Sequence, residues 1–156
     1  MMRKLMIALA ALMLAGTTAT VAFAQTKTSK PTRATVHKLV IHVDSNDPAT
    51  MTLALNNAQN VINHYKRKRE RVVVELVTYG PGLHMYREDS SPVKQRIATM
   101  SLENPNLKFS ACGNTRAGMQ KREGKPVKLI SEAKVVPSGV IRIMELQKQG
   151  YAYLRP

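Results

Sequence analysis

The stretch Lys38-Leu39-Val40-Ile41-His42-Val43 decides the fold of this chain. It is a near-continuous apolar run of strand length, which is typical of a strand covered on both faces in a parallel sheet. Asp44-Ser45-Asn46 ends the strand, and Asp47 followed by Pro48 predicts a helix start, because Asp47 can cap free amide groups and Pro48 fits the first helical position. One apolar stripe then continues the helix to about Tyr65, through Met51, Leu55, Ala58 and Ile62.

The alternation of strands and helices continues to the C-terminus. Further strands are predicted at Arg71–Tyr79, Leu107–Cys112, Ala133–Val136 and Tyr151–Leu154. Further helices are predicted from Ser91-Pro92 to about Asn104, from an Asn114 cap to about Arg122, and from Ser138 to Gly150. Strands that alternate with helices favour right-handed crossovers and a parallel sheet with helices on both faces. The predicted fold class is therefore α/β, a single flavodoxin-like domain over 38–156 with a five-stranded parallel sheet.

The first 24 residues have the three parts of a secretory signal peptide. Arg3 and Lys4 precede an apolar run over 5–15, and the small residues of Ala22-Phe23-Ala24 form the exit. An uncleaved anchor is the alternative, but polar residues and Gly16 interrupt the apolar run short of the roughly 20 residues that span a bilayer. We expect cleavage after residue 24, a flexible lead-in over 25–37, and an exported protein that is soluble, and periplasmic in a Gram-negative source.

The chain is strongly basic, with a formal net charge of +14. Much of the charge lies in two runs, 66–71 and 121–125, so attraction to acidic partners or a weak contact with an anionic surface is expected. Nucleic acid is not an expected partner, because the chain carries an export signal and aromatic residues make up only 4% of it, too few for a base-stacking platform. We interpret the first run as a solvated connection between a helix and a strand.

The sequence predicts no cofactor and no metal. Gly80-Pro81-Gly82 has the chemistry of a tight turn but lacks the Lys and Thr of a phosphate loop, and no Gly-x-Gly-x-x-Gly motif follows the first strand. No serine stands in a Gly-x-Ser-x-Gly elbow. The four histidines show no spacing that indicates metal ligands.

Three loops are expected to meet beyond the carboxyl ends of the strands, where ligands collect in such sheets. The flavodoxin-like strand order 2-1-3-4-5 would make the first and third strands neighbours, so that Asp44 and Cys112 would lie side by side. The residues predicted to line this pocket are Asp44, Ser45, Gly80, Gly82 and His84.

Cys112 is the only cysteine of the chain, and it ends a predicted strand just before a helix. A lone thiol in an exported protein indicates either intermolecular pairing or a free thiol. The amide groups and dipole of a helix start can lower the pKa of a cysteine well below about 8.5. The pattern is equally compatible with a small, buried, inert side chain.

The histidines are secondary candidates. His84 follows the second strand and has the chemistry to donate a proton near the thiolate, although a surface position is the simpler interpretation. His42 alternates with apolar neighbours and is interpreted as a core residue with satisfied hydrogen bonds. His37 and His64 are interpreted as surface residues.

From Lys38 to Pro156 the chain resembles the DsrE/DsrF-like family of small sulfur-relay proteins, which includes YchN-like members. The features that carry the resemblance are the opening strand, the turn Tyr79-Gly80-Pro81-Gly82, the segment Ala111-Cys112-Gly113-Asn114-Thr115, the exit Arg122-Glu123-Gly124, and the tail from Val136-Pro137-Ser138 to Gln147. The resemblance implies a five-stranded parallel sheet, assembly into trimers or hexamers, and a persulfide on the cysteine that ends the third strand. Cys112 matches that cysteine by position.

The sequence is compatible with two functions. The first is a periplasmic sulfur carrier in which catalytic Cys112 holds a sulfane sulfur, Gly113, Asn114 and Thr115 stabilise the anion, and partner proteins donate and accept the sulfur. The second is a non-catalytic oligomeric binding module of the same fold in which Cys112 is packed and inert.

Overall fold

A computed structural model describes residues 35–156 of the chain. The predicted signal peptide, 1–24, and the lead-in up to residue 34 lie outside the described residues. Val36 and His37, which were assigned to the lead-in, belong to the first strand instead. Within 35–156, no helix combines the length and the apolar character needed to cross a membrane.

Within residues 35–156, five strands and four α-helices alternate, as predicted. The strands are β1 (Val36–Val43), β2 (Arg71–Thr78), β3 (Leu107–Cys112), β4 (Ala133–Val136) and β5 (Ala152–Leu154). The helices are α1 (Pro48–Arg67), α2 (Lys94–Glu103), α3 (Gly113–Glu123) and α4 (Gly139–Lys148). A 3-10 helix, Gly80–Tyr86, follows β2 where the sequence predicted a simple turn. All pairs of neighbouring strands are parallel, so the prediction of a five-stranded parallel α/β sheet is confirmed.

Two helix starts differ from the prediction. Ser91-Pro92 does not begin α2, because the Ser91 hydroxyl accepts from Val93 N in a local turn and the helix begins at Lys94. Asn114 does not cap α3. Cys112 is the capping residue, and its own sulfur accepts from Thr115 N.

The predicted strand order is wrong. The order is β4-β3-β2-β1-β5, so β2 separates β1 from β3. Right-handed crossovers move the chain one way across the sheet when the helix lies on one face and the other way when it lies on the opposite face. Buried residues of α1, α2 and α3 share one core, so β2, β3 and β4 are added in a single direction, and α4 on the other face returns the chain to the far side of β1.

The two faces of the sheet are unequally covered. The larger core lies under α1, α2 and α3 and includes Ile41 and Val43 of β1. The smaller core lies under α4 and joins Val40 and Val77 to residues of α4. Alternate residues of β1 therefore enter opposite cores, which explains its near-continuous apolar sequence.

Candidate functional site

The site around Cys112 lies where two adjacent strands send the chain in opposite directions. β3 leads into α3 on the larger core, whereas its neighbour β4 leads into α4 on the other face. Such a divergence opens a crevice beyond the carboxyl ends of the two strands. Cys112 is the last residue of β3 and pairs with Val136, the last residue of β4, so the thiol stands at this switch point.

The first residues of two helices surround the Cys112 sulfur. Cys112 is buried, with 4% of its surface exposed, and its Sγ accepts from Thr115 N at 3.5 Å. Burial alone would raise the pKa of the thiol, but the Thr115 side chain and the backbone amides of Gly139, Thr115 and Asn114 outweigh it. The pKa of Cys112 is therefore lowered, because amides from the starts of both α3 and α4 stabilise the thiolate.

The Thr115 hydroxyl connects the thiol to the loop after β2. Gly80 N donates to Thr115 Oγ1 at 3.0 Å. The hydroxyl oxygen is thus held by an accepted bond, and its own hydrogen is available to the sulfur. Gly80 has a φ of +52°, a left-handed conformation that a glycine adopts at little cost.

Gly139 sets the closest approach of α4 to the thiol. A Cβ at this position would lie 3.2 Å from Cys112 Cβ and 3.1 Å from the Tyr79 ring. The missing side chain therefore allows the first amide of α4 to reach Cys112. Gly113 has a comparable role on the other side, since its Cβ would lie 3.0 Å from the carbonyl oxygen of Val136.

Tyr79, which lies against Gly139 as Cys112 does, contacts a second polar cluster. Its ring stacks on His42 with centroids 4.3 Å apart, and His42 Nδ1 lies 2.8 Å from the Tyr153 hydroxyl. His42 is 3% exposed, and its Nε2 has no hydrogen-bond partner within residues 35–156; a carboxylate oxygen of Asp44 is 4.0 Å away. His42 is thus a core residue, as predicted, but only one of its two ring nitrogens has a hydrogen-bond partner among the described residues. Burial lowers the pKa of His42, Asp44 opposes this shift and Arg155 adds to it.

Comparison with known proteins gives the family. The model of the DsrE/DsrF-like family matches residues 37–156. The chain belongs to that family. Membership places it among proteins of the sulfur-relay type, as the sequence resemblance indicated. No curated protein matches the chain.

A solved structure shares the DsrE/DsrF-like fold. The chain is similar to MTH1491, a protein of unknown function from Methanobacterium thermoautotrophicum, with 29% sequence identity and a TM-score of 0.65. The similarity covers 77% of this chain and 99% of MTH1491. Nearly the whole of that protein therefore corresponds to the sheet and helices described here.

In this DsrE/DsrF-like domain, the residues that were predicted to line one pocket have different surroundings. Gly80 contacts Thr115 beside the thiol, as described above. The prediction that Asp44 lies beside Cys112 is wrong, because β2 intervenes and Asp44 instead pairs with Arg155 at 2.8 Å. The Ser45 hydroxyl accepts from Asp47 N.

Gly82 and His84 lie in the 3-10 helix after β2. A Cβ on Gly82 would lie 2.1 Å from the carbonyl oxygen of Val43, so Gly82 allows this segment to pack against the end of β1. His84 is half-buried near the end of the same segment. The structure shows no hydrogen bond from His84 to the thiol among the described residues.

A buried ion pair lies beneath α4 and was not predicted from the sequence. Glu75 of β2 is 1% exposed and accepts from Arg142 of α4 at 2.7 and 2.8 Å and from Ser110 of β3 at 2.7 Å. Burial would raise the pKa of Glu75, but the bonds from Arg142 and Ser110 hold it below its ordinary value. The pair anchors α4 three residues after Gly139 and so fixes the helix start at the thiol. The sequence signal that could have indicated this ion pair is a glutamate within the otherwise apolar strand Arg71–Thr78.

Proposed function

We propose that this protein is a sulfur carrier in which the Cys112 thiolate accepts a sulfane sulfur and holds it as a persulfide. The observation that carries the proposal is the lowered pKa of a buried thiol, which backbone amides from two helix starts stabilise. Membership of the DsrE/DsrF-like family supports the same chemistry. A thiolate is the nucleophilic form of cysteine, so this environment favours attack on a sulfur donor.

The transfer step needs no redox co-reactant. The Cys112 thiolate attacks the outer sulfur of a donor persulfide, R–S–SH, and a new S–S bond forms to Cys112. The S–S bond of the donor breaks, the proton stays on the transferred sulfur, and R–S⁻ leaves. The helix amides that stabilise the thiolate are placed to stabilise the persulfide anion after its proton is lost.

The predicted export signal extends the proposal to the periplasm. Residues 1–24 carry the pattern of a signal peptide. A lone exported thiol is exposed to oxidation, and the burial of Cys112 reduces that exposure. A periplasmic carrier would receive its sulfur from a donor protein and deliver it to an acceptor in that compartment.

The surface of α4 supports assembly into a homo-oligomer. Val140, Ile141 and Met144 are each about half exposed on this helix, at 49%, 51% and 49%. Val135 of β4 and Tyr153 of β5 are further exposed apolar side chains, at 50% and 45%. Large apolar side chains concentrated on one helix are typical of a surface that a second subunit covers. The proposed occupant is a second copy of this chain, in a trimer or hexamer.

Burial of the thiol supports the alternative function. Cys112 is 4% exposed, which also fits a packed, inert residue in a non-catalytic oligomeric binding module. The two functions differ in the reactivity of the native thiol, since only the carrier needs Cys112 to react without unfolding.

Intact-mass measurement separates the two functions. The full chain is treated with an excess of a low-molecular-weight persulfide, desalted and weighed under native conditions. The carrier gains one sulfur atom, which dithiothreitol removes, and the Cys112→Ser variant gains none. An equal gain in Cys112→Ser, or no gain in wild type together with alkylation only after unfolding, contradicts the carrier and supports the binding module.

A further inference from the structure

The edge of the sheet opposite Cys112 carries a basic surface. We call it the basic edge and define it by the run 66–71, at the end of α1 and the start of β2. The run holds five basic side chains, Lys66, Arg67, Lys68, Arg69 and Arg71, and all of them are exposed. Its one acidic residue, Glu70, lies 2.7 Å from His37. No ion pair to any of the five basic residues occurs within 35–156.

An exposed leucine lies at the same edge. Leu102, in the last turn of α2, is 88% exposed, the highest value among the exposed large apolar residues of 35–156. The next residue, Glu103, lines a shallow pocket of about 220 Å³ together with Lys66 and Arg71. Among the described residues, the basic edge therefore combines basic side chains outside any ion pair with a neighbouring, almost fully exposed leucine.

The first described strand also begins at this edge. β1 begins at Val36, which pairs with Arg71 of the basic edge.

We propose that the basic edge docks on an anionic phospholipid bilayer. Each lysine or arginine near a negatively charged membrane surface adds to the attraction, and an exposed leucine can insert between headgroups. A nucleic acid would satisfy the charges but leaves Leu102 without a role. Tyr65, the aromatic residue nearest the run, is already stacked on His37 at 3.9 Å and is not available for base stacking.

The proposed orientation leaves the Cys112 site open to partners. β1 and β2 have eight residues each and span roughly 26 Å. The basic edge is at the amino ends of these strands, and the thiol is at the carboxyl edge. Docking would therefore keep the protein at the membrane while the thiol faces away from the lipid. The inference does not depend on the sulfur-carrier function.

Vesicle sedimentation of the full chain tests the inference. The probes are vesicles of pure phosphatidylcholine and vesicles with one third phosphatidylglycerol, at low and high salt. The phosphatidylcholine vesicles measure any contribution of the apolar run 5–15, and the difference between the two vesicles measures the electrostatic part. We expect binding to the anionic vesicles to be stronger and to weaken with salt.

Two charge-matched variants locate the surface. Lys66→Glu/Lys68→Glu changes the basic edge, and Lys94→Glu/Lys134→Glu makes the same change of net charge at exposed residues away from it. The first variant should lower partitioning to anionic vesicles more than about tenfold, the second much less, and Leu102→Ser should lower it severalfold. Equal losses in both charge variants overturn the inference, as does binding of a DNA duplex through the same lysines without binding to vesicles.

Discussion

The backbone amide of Gly80 donates to the Thr115 hydroxyl at 3.0 Å, while the amide of Thr115 donates to the Cys112 sulfur at 3.5 Å. The loop after β2 is thereby coupled to the thiol at the end of β3 through one threonine. This contact orients the hydroxyl, because its oxygen is already engaged as an acceptor and its hydrogen is left for the sulfur.

Replacing Thr115 with valine should make the thiol less acidic. The Thr115→Val change removes a hydrogen bond to a charged group, which contributes about 1.5 kcal/mol or more. The pKa of Cys112 should rise, and the thiolate fraction at a given pH should fall by up to about tenfold. The pH dependence of iodoacetamide alkylation measures the change. Thr115→Ser keeps the hydroxyl and should retain the wild-type profile; an unchanged profile in Thr115→Val would show that the hydroxyl does not act on the thiol.

A methyl group at Gly139 should separate α4 from the thiol. The Cβ of Gly139→Ala would lie 3.1 Å from the Tyr79 ring and 3.2 Å from Cys112 Cβ. Overpacking of this kind costs about 1–3 kcal/mol of unfolding free energy. The displaced amide of residue 139 should also raise the pKa of Cys112. Urea unfolding and alkylation measure the two effects.

Gly118→Ala is the matched control for that change. Gly118 lies within α3, and its nearest atom to a new Cβ is the end of the Arg122 side chain at 3.8 Å. A helix interior favours alanine over glycine by about 0.5–1 kcal/mol, so this variant should be slightly more stable, with the thiol pKa of wild type. If Gly139→Ala behaved like Gly118→Ala, the close packing of α4 on the thiol would be refuted.

Removal of Arg142 should destabilise the fold in a pH-dependent way. Arg142→Met leaves Glu75 buried without its ionic partner, at a cost of about 3 kcal/mol at neutral pH. In wild type the lowered pKa of Glu75 gives stability that is complete above the ordinary value of 4.5 and is lost as the pH falls through the lowered value. In the variant, burial should raise the pKa of Glu75. Protonation at lower pH then removes the cost of an unpaired buried charge.

The stability difference between wild type and Arg142→Met should therefore shrink as the pH falls from 7 to 4. Urea unfolding at the two pH values measures it. Glu145→Gln is the control, because Glu145 is 55% exposed and lies 3.8 Å from Arg142, and its loss should cost less than about 0.5 kcal/mol. A difference that is constant with pH would mean that Glu75 is not the group responsible.

His42 should make the fold sensitive to mild acid. Its pKa is lowered in the folded state, so its contribution to stability is complete above the unfolded value of 6.5 and is lost as the pH falls through the folded value. The slope of unfolding free energy against pH from this one group is at most about 1.4 kcal/mol per unit. His42→Gln should lose this slope below pH 6.5, whereas His64→Gln, at an exposed position, should retain it. Retention of the slope in His42→Gln would assign it to another group.

Charge on the apolar surface of α4 should dissociate the oligomer. Ile141 and Met144 are half-exposed at 51% and 49%, and a glutamate at each would be buried without a partner in a subunit interface. Light scattering after size exclusion should show an oligomer for wild type and a monomer for Ile141→Glu/Met144→Glu. Leu53→Glu alters a residue of α1 with a similar exposure of 46% and should leave the oligomer intact. A monomeric wild type would contradict the proposed subunit interface.

Local sequence signals were sufficient to predict the helices and strands of the fold. Asp47-Pro48 and Ser138 begin α1 and α4 as predicted, and Gly124 has the left-handed φ of +67° expected beyond the end of α3. Capping and apolar periodicity involve residues a few positions apart, so the pattern can be read without knowledge of the rest of the chain. For the same reason Cys112 could be placed at the junction of a strand and a helix.

The environment of that cysteine depends on residues far apart in the chain. The Gly139 amide reaches the thiol from the start of α4, and Gly80 acts on it through the Thr115 hydroxyl. Tyr79, which lies against Gly139, stacks on His42 of β1. The periodicity of α1 indicates that the helix has an apolar side, but not on which face of the sheet that side packs. The face determines the strand order, and the observed order separates Asp44 from Cys112 by one strand.

The sequence by itself determined a parallel α/β domain with one thiol where β3 meets α3, because strand length, helix caps and apolar spacing are local properties. Only the tertiary structure decided that β2, rather than β1, lies beside β3, that the chain diverges between β3 and β4, and that α4 starts against the Cys112 sulfur. The physical reason is that the face taken by each crossover helix follows from packing across the whole sheet. The lowered pKa of the thiol follows from that packing, since it needs amides from two helices that the sequence separates by 26 positions, Gly113 and Gly139.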